Sequence, residues 1–312
     1  MEGILKKIVI LQTIVLVCFV IFKDSKKELP IVQDQFDQRY FDQPIPEQEP
    51  EEQKPLTPEP EFINWPPVRT VNNPRYGKIL SDIESHLPAG HIYGDSDLIT
   101  DGHECLHGIH ANIRNANYGG LINTYVIRRG LFRRPLVFHE IWSGGRVNGF
   151  YCLENRAVVI QEPSTTISAA ARLVPSSLRG DVFNLYMIQQ ARSWGDTPLY
   201  ICDEWNAYVG GSAVRADLQI QERSETVQYS MEFTVYTIAL AKAIKENDSS
   251  YDDTQFKNFV MWNTDRLMKI YNNESGATNY LKKFRTSSDA ESLRQFAKEY
   301  FGAEWCKEIL GI

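Results

Sequence analysis

The sequence predicts an α+β fold, with a small β-sheet in the middle of the chain and a mainly helical C-terminal part. Three observations predict it. Short apolar runs bounded by turn residues occupy positions 122–127, 136–138 and 156–160, and turn signals fall at Gly130, Ser143-Gly144-Gly145 and Asn148-Gly149. Apolar residues recur at helical spacing over 225–245, 253–271, 277–284 and 290–310. Residues 1–63 have a different composition from everything after them. No internal repeat accompanies these patterns.

The N-terminal fifth divides in two. Within residues 1–27 the stretch from Ile8 to Phe22 is apolar except for Gln12 and Thr13. Counted from Ile4, its length is close to the roughly 20 residues that cross a bilayer. Lys23-Asp24-Ser25-Lys26-Lys27 follows where a signal peptidase would need small residues, so an uncleaved membrane anchor is expected. Lysines flank both ends. Two Asn-x-Ser triplets, at Asn247 and Asn273, lean toward an extracytoplasmic body held by a single span. Residues 28–63 are rich in Pro and Glu, with nine acidic residues against two basic ones between Asp34 and Glu61. Such a stretch buries too little apolar surface to offset its ordering entropy, and reads as a disordered stalk. The folded body is expected over 64–312.

Taking that body in order, Ile79, Leu80, Ile83 and Leu87 set a helix over 75–87, stopped by Pro88-Ala89-Gly90. A second helix runs from Ser96 or Thr100 to Asn115 and ends at Asn117-Tyr118-Gly119-Gly120. The strands follow. Residues 163–175 form a helix entered at Ser164 or Thr165, and 178–193 form another. The segment after Asp196-Thr197-Pro198 carries a helix-compatible window around Asp203–Tyr208. Trp262, Phe296, Tyr300 and Trp305 are core residues of the C-terminal helices.

Bulk composition limits function. The chain has 312 residues and 43% hydrophobic residues, enough for one sizeable domain with appendages. A formal net charge of −7 gives no ground for a nucleic-acid partner. The one dense basic cluster, Arg128, Arg129, Arg133 and Arg134, reads as a solvated surface or a patch facing acidic substrate. Of five cysteines, Cys18 lies in the apolar run; Cys105, Cys152, Cys202 and Cys306 allow two disulfides, and Cys105 is most simply a buried thiol. No Cys-x-x-Cys pair exists, which argues against a thiolate zinc site.

The chemistry concentrates in Thr100–Arg114, TDGHECLHGIHANIR. His103-Glu104-Cys105-Leu106-His107 matches H-E-x-x-H, and three of the six histidines fall within eight residues. On a helix, positions i and i+4 lie one turn apart on one face, so two imidazoles can chelate one zinc ion. The intervening Glu104 can then take a proton from a zinc-bound water. His110 spans seven residues from His103, roughly 10 Å along the axis, too far for one ion to reach both. It would line the cleft or sit behind the ligands.

A catalytic zinc commonly has three protein ligands and a water. Glu204 is the favoured third ligand. It shares a helix face with Tyr208 and Gly211, and Gly210-Gly211 would let another backbone, such as that of the motif helix, approach closely. Glu140, Glu154 and Asp203 are the alternatives. Tyr208 is the favoured donor to a tetrahedral oxyanion, ahead of Tyr200, His139 and Arg215. Asp203, Asn112 and Asp101 are available to orient the histidine rings.

His103-Glu104-x-x-His107 followed by a downstream helix carrying Glu204 resembles the zincin metallopeptidases, in their gluzincin-type arrangement. The match covers two short segments. Ninety-six residues stand between His107 and Glu204, more than in compact members, and Tyr208 stands where an Asp commonly follows the ligand Glu by four. The extended metzincin pattern would need His at the position of Ile113. The resemblance implies a zincin-like fold with Zn2+ on His103, His107 and Glu204, Glu104 as general base, and a protein or peptide substrate. An extended substrate would add to the edge of a strand, at 122–127 or 156–160. The competing expectations are a non-catalytic anchored binding or adhesion module with the same fold, and a zinc hydrolase of a non-peptide amide or ester.

Overall fold

The computed structural model describes residues 55–91, 94–117, 121–128, 135–142, 146–194, 197–222, 225–271 and 275–312. Strand β1 (Ile63–Asn64) leads into helix α1 (Lys78–His86) and the motif helix α2 (Leu98–Asn117). Four strands follow: β2 (Leu121–Arg128), β3 (Pro135–Trp142), β4 (Val147–Tyr151) and β5 (Arg156–Gln161). Helix α3 (Ile167–Leu173), a π-helical stretch (Asn184–Gln189) and helix α4 (Tyr200–Asp217) come next. The chain closes with α5 (Glu225–Asn247), α6 (Thr254–Ile270), α7 (Ser275–Thr286), α8 (Glu291–Phe301) and a last π-helical turn at Cys306–Leu310. The fold is therefore mixed and mostly helical.

The sheet is small and antiparallel, in the order β1-β5-β4, with Ile63 opposite Ala157 and Gly149 opposite Val159. β5 is its central strand. β2 and β3 form a separate antiparallel pair, with Tyr125 in register with His139. Helix α5 is buried on nearly every face, from Thr226 to Ile244, as expected of a helix at the centre of a core. Around it pack Phe256 and Phe259 of α6, Phe284 of α7 and Trp205 of α4. A second cluster joins Leu80 and Ile83 of α1 to Leu106, Ile109 and Ile113 of α2.

Two close approaches hold α2 in place. A Cβ on Gly210 would stand 2.1 Å from Leu106 Cδ1, so α4 lies against α2 as the Gly210-Gly211 pair predicted. On the other side, a Cβ on Gly149 would stand 2.3 Å from Ile113 Cγ2, so β4 lies against the C-terminal half of α2. The dipeptide Asn148-Gly149 is thus not the turn its sequence signals. All five residues of β4 are buried, and the glycine serves close packing rather than a reversal.

The actual reversal, between β4 and β5, is built without glycine. Leu153, Glu154 and Asn155 all have positive φ, at 68°, 54° and 61°. Asp82 accepts from Glu154 N at 3.0 Å, and His86 Nε2 meets Asn155 Oδ1 at 2.9 Å. These bonds from α1 hold three residues in a region that side chains disfavour.

Other expectations shift for physical reasons. Asp97, not Ser96 or Thr100, caps α2: its carboxylate accepts from Ile99 N at 3.1 Å and Thr100 Oγ1 at 2.8 Å. Thr166 caps α3 through Ala169 N. The single helix expected over 178–193 is a π-helical stretch followed by a short turn, and the one expected over 290–310 breaks at Gly302, where φ is +104°. The expected start of the body at 64 moves back, since residues assigned to the stalk pack on it. Phe62 meets Trp262 edge-on at 5.3 Å, and Trp305 Nε1 donates to Thr57 Oγ1 at 3.1 Å. Cys105, Cys152, Cys202 and Cys306 are all buried free thiols, without the two disulfides their number allows.

The expected single-pass membrane localisation is corrected. Among the described residues no helix is long and apolar enough to cross a membrane. The longest of them, α5, carries Glu232, Lys242 and Lys245, where a span needs about 20 predominantly apolar residues. Residues 1–27, expected as the anchor, lie outside the described residues, as does the stalk up to residue 54. Asn247, one of the two triplet asparagines, donates to Ala243 O at 2.7 Å; Asn273 lies outside the described residues.

Candidate metal centre

Helical spacing places His103 and His107 one turn apart on α2, and their Nε2 atoms lie 3.1 Å from each other. Glu204, on the face of α4 that meets α2, brings Oε2 to 3.7 Å from His103 Nε2 and 3.5 Å from His107 Nε2. Four ligands at about 2.0–2.1 Å from a tetrahedral zinc stand about 3.3 Å from one another. The three observed separations bracket that value. Glu204 Oε2 is buried and has no hydrogen-bond partner. A buried carboxylate oxygen left unpartnered is costly unless a cation completes it. The donor set and its spacing therefore fit a divalent metal.

Each side chain of this triangle is held from behind. Asp203 Oδ1 accepts a short hydrogen bond from His107 Nδ1, which leaves Nε2 free to ligate. His103 hydrogen-bonds the backbone of Ala207. Tyr200 donates a short hydrogen bond to Glu204 Oε1, leaving Oε2 to face the histidines. The Tyr200 ring in turn stacks on Trp194 at 4.8 Å. Tyr208, one turn beyond Glu204, lays its ring against His103 at 4.4 Å, and its hydroxyl lies 2.9 Å from that of Tyr186. Tyr186 projects from the π-helical stretch, a backbone irregularity frequent at functional sites.

The electrostatics favour a cation. Burial holds His103 well below the ordinary imidazole range, and the neighbouring His107 pushes it the same way. Burial would lower His107 too, but the carboxylates of Glu204 and Asp203 outweigh it and raise it well above that range. Asp203 is lowered despite its burial, because His110 and His107 both face it. Burial raises the Glu104 carboxyl, His107 opposes the shift, and Glu204 adds to it. Tyr208 is raised, first by burial and then by Glu204, so it keeps its proton.

His103, Glu104, His107, Glu204 and Tyr208 are thus brought together. The other sequence candidates divide. Asp203 sits behind His107 as an orienting acceptor rather than in the ligand triangle. Glu154 is on the β4–β5 reversal with Lys78 at 3.7 Å and Arg156 at 3.5 Å, away from the histidines. Arg215 donates to Glu222 O at 2.8 Å, beyond the far end of the site. Asp101 faces Cys105 and Glu84 instead of the ligands. The side chains of His139 and Glu140, and the cluster from Arg128 to Arg134, lie outside the described residues.

Among the described residues, two further groups bring potential ligand atoms within 4.8 Å of one another. His107, His110 and Asp203 are the hydrogen-bonded back of the same centre. Glu84, Asp101 and Cys105 already include a cation, because Arg69 pairs with Glu84. Burial raises both Cys105 and, to about 6, Asp101.

Sequence reasoning missed Tyr186, Ala207 and Asn206. Each reaches the site through contacts between elements far apart in the chain, and none carries a local motif. Comparison with known protein families, with curated proteins and with solved structures found no match.

Proposed function

We propose that the chain is a zinc-dependent hydrolase of peptide bonds, with a gluzincin-type ligand set and a zincin-like fold. One observation carries the reading: a buried, unpartnered Glu204 Oε2 converges with two imidazole nitrogens on the helix that also bears Glu104. Zinc, when bound there, supplies a Lewis acid and brings the pKa of a coordinated water toward neutrality.

The chain's own residues supply the rest. Glu104 takes the proton of the attacking water and passes it to the departing amine, a task suited to a carboxyl raised by burial. Tyr208 donates to the oxyanion that forms on the substrate carbonyl. Two phenols joined by one hydrogen bond use one proton between them, so the Tyr186–Tyr208 pair retains one O–H to donate. Asp203, Tyr200 and the Ala207 backbone keep the three ligating groups in register, so little reorganisation accompanies the reaction.

The test is metal content of the full chain, wild type beside His107→Ala and Glu204→Ala. About one zinc per chain, lost in both variants, is the expected result. Hydrolysis of a peptide library by wild type, abolished in Glu104→Gln with zinc retained, completes it. Zinc without peptide hydrolysis would turn the search to esters and non-peptide amides. A chain that takes up no zinc when refolded with excess metal would sink the reading, leaving a non-catalytic binding module.

A further inference from the structure

Behind the metal centre runs a hydrogen-bond chain whose polarity the structure fixes. Asn206 Nδ2 donates to the Tyr151 carbonyl at 2.7 Å and lies 3.0 Å from His110 Nε2. Asn206 Oδ1 faces Arg266 at 3.5 Å. The guanidinium can only donate and the Tyr151 carbonyl can only accept, so the amide has one workable orientation. Its NH2 points at His110 Nε2, which must then be the acceptor nitrogen. The one proton of the neutral ring is on Nδ1, 3.2 Å from Asp203 Oδ1. That oxygen also accepts a hydrogen bond from His107 Nδ1. His110 and Asn206 are both 0% exposed.

We infer that His110 is a positioning residue for the metal centre, held in its working tautomer by Asn206 and acting through Asp203 on His107. The inference rests on the zinc reading above. Two imidazole N–H groups converge on one carboxylate oxygen, and Asp203 cannot turn without losing both. His107 is therefore kept with its proton on Nδ1 and its Nε2 lone pair toward Glu204 and His103. His110 contributes no ligand atom; it fixes the acceptor that fixes the ligand. Its ring also meets Phe150 edge-on at 5.8 Å, so its position is set by packing as well as by hydrogen bonds.

The test uses the fact that an Asn side-chain nitrogen can stand in for His Nδ1, and that of Gln for Nε2. The zinc dissociation constant of the full chain is measured by chelator competition for wild type, His110→Asn, His110→Gln and His110→Phe. Partners behind metal ligands change affinity by about 10–100-fold. We expect His110→Gln and His110→Phe to weaken zinc about tenfold and His110→Asn to stay near wild type. Thermal unfolding of the metal-free proteins identifies any variant that fails to fold, and the Phe variant, which keeps a ring against Phe150, carries the comparison if Gln does not. Zinc bound by both Gln and Phe variants as tightly as by wild type would overturn the inference and leave the metal site standing. So would an Asn variant as weak as Gln, since mere space-filling would then explain the loss. A wild-type chain that binds no zinc would overturn the metal reading itself.

Discussion

Gly149→Ala tests the packing that holds the motif helix. The new Cβ would stand 2.3 Å from Ile113 Cγ2, 2.8 Å from Ile113 Cβ and 3.0 Å from the Arg114 backbone nitrogen. Carbon atoms in good contact lie about 3.8 Å apart, so the shortfalls are about 1.5 Å and 1 Å at the two carbons. A rotamer change cannot relieve the second, because Cβ is fixed to the backbone, and a helical Ile has essentially one χ1. Strand β4 must therefore move off α2 by about 1 Å. Overpacking of this kind costs about 1–3 kcal/mol, and replacing glycine within a strand returns about 0.5–1 kcal/mol. The net loss is about 1 kcal/mol, or about 2–4 °C in Tm for a body of this size. Differential scanning calorimetry measures it. Gly210→Ala is the comparator: its Cβ meets only the end of Leu106, 2.1 Å from Cδ1 and 3.6 Å from Cγ, and a Leu terminus can turn. Helix propensity there returns about 1 kcal/mol, so Gly210→Ala should lose less. A Gly149→Ala chain as stable as wild type, or less affected than Gly210→Ala, would refute the argument.

Two further outcomes follow from the site and its surroundings. Tyr208→Phe should lower kcat by about 10²–10³-fold with KM and zinc content little changed, as expected for a donor that acts on the developing oxyanion; steady-state kinetics on any cleaved peptide decides it, and an unchanged kcat removes Tyr208 from catalysis. Glu162 is partly buried where Asn148 Nδ2 and Leu199 N both donate to it at 3.2 Å, and the loss of solvent around it pushes its carboxyl up to about 8. Between the ordinary carboxylate range and that value the folded chain keeps a proton that the unfolded chain has lost, so stability falls as pH rises through this window. Glu162→Gln should remove that slope, and the wild-type deficit relative to the variant should grow by a few kcal/mol between about pH 5 and 8. Urea unfolding at several pH values measures it; parallel curves would show that Glu162 titrates normally.

Local pattern carried much of this molecule. The long helices α5 and α6 were legible because apolar stripes persist over many residues, and the candidate ligands His103 and His107 because their spacing is a property of one helix. Glu204 was legible through its neighbours: Gly210-Gly211 announced a close helix crossing. What depends on partners distant in sequence was not legible. Asn148-Gly149 reads as a turn until Ile113 is known to lie against it. Nothing in Leu153-Glu154-Asn155 announces left-handed backbone, since the cause is Asp82 and His86 on another helix. The π-helical stretch around Tyr186 has the same apolar content as an ordinary helix. For Asp203 the residue was found, but choosing between ligand and orienting acceptor required knowing which histidine nitrogen it meets.

The crossing of α2 and α4 has a consequence for how such a chain can change over evolutionary time. All the ligating and proton-handling groups proposed here ride on two helices that touch directly, through Gly210 and Leu106. His107 and Glu204 stand far apart in sequence, yet 3.5 Å apart in space. Among the described residues, the strands and turns between them contribute a backing wall but no atom of the ligand triangle. Surface connections tolerate insertion and deletion far better than packed elements do. Length in the surface connections of that stretch is thus a free variable, and the distance between the two half-motifs in a sequence is a poor guide to whether they form one centre. A search for chains of the same kind should fix the two helical segments and leave the gap between them open.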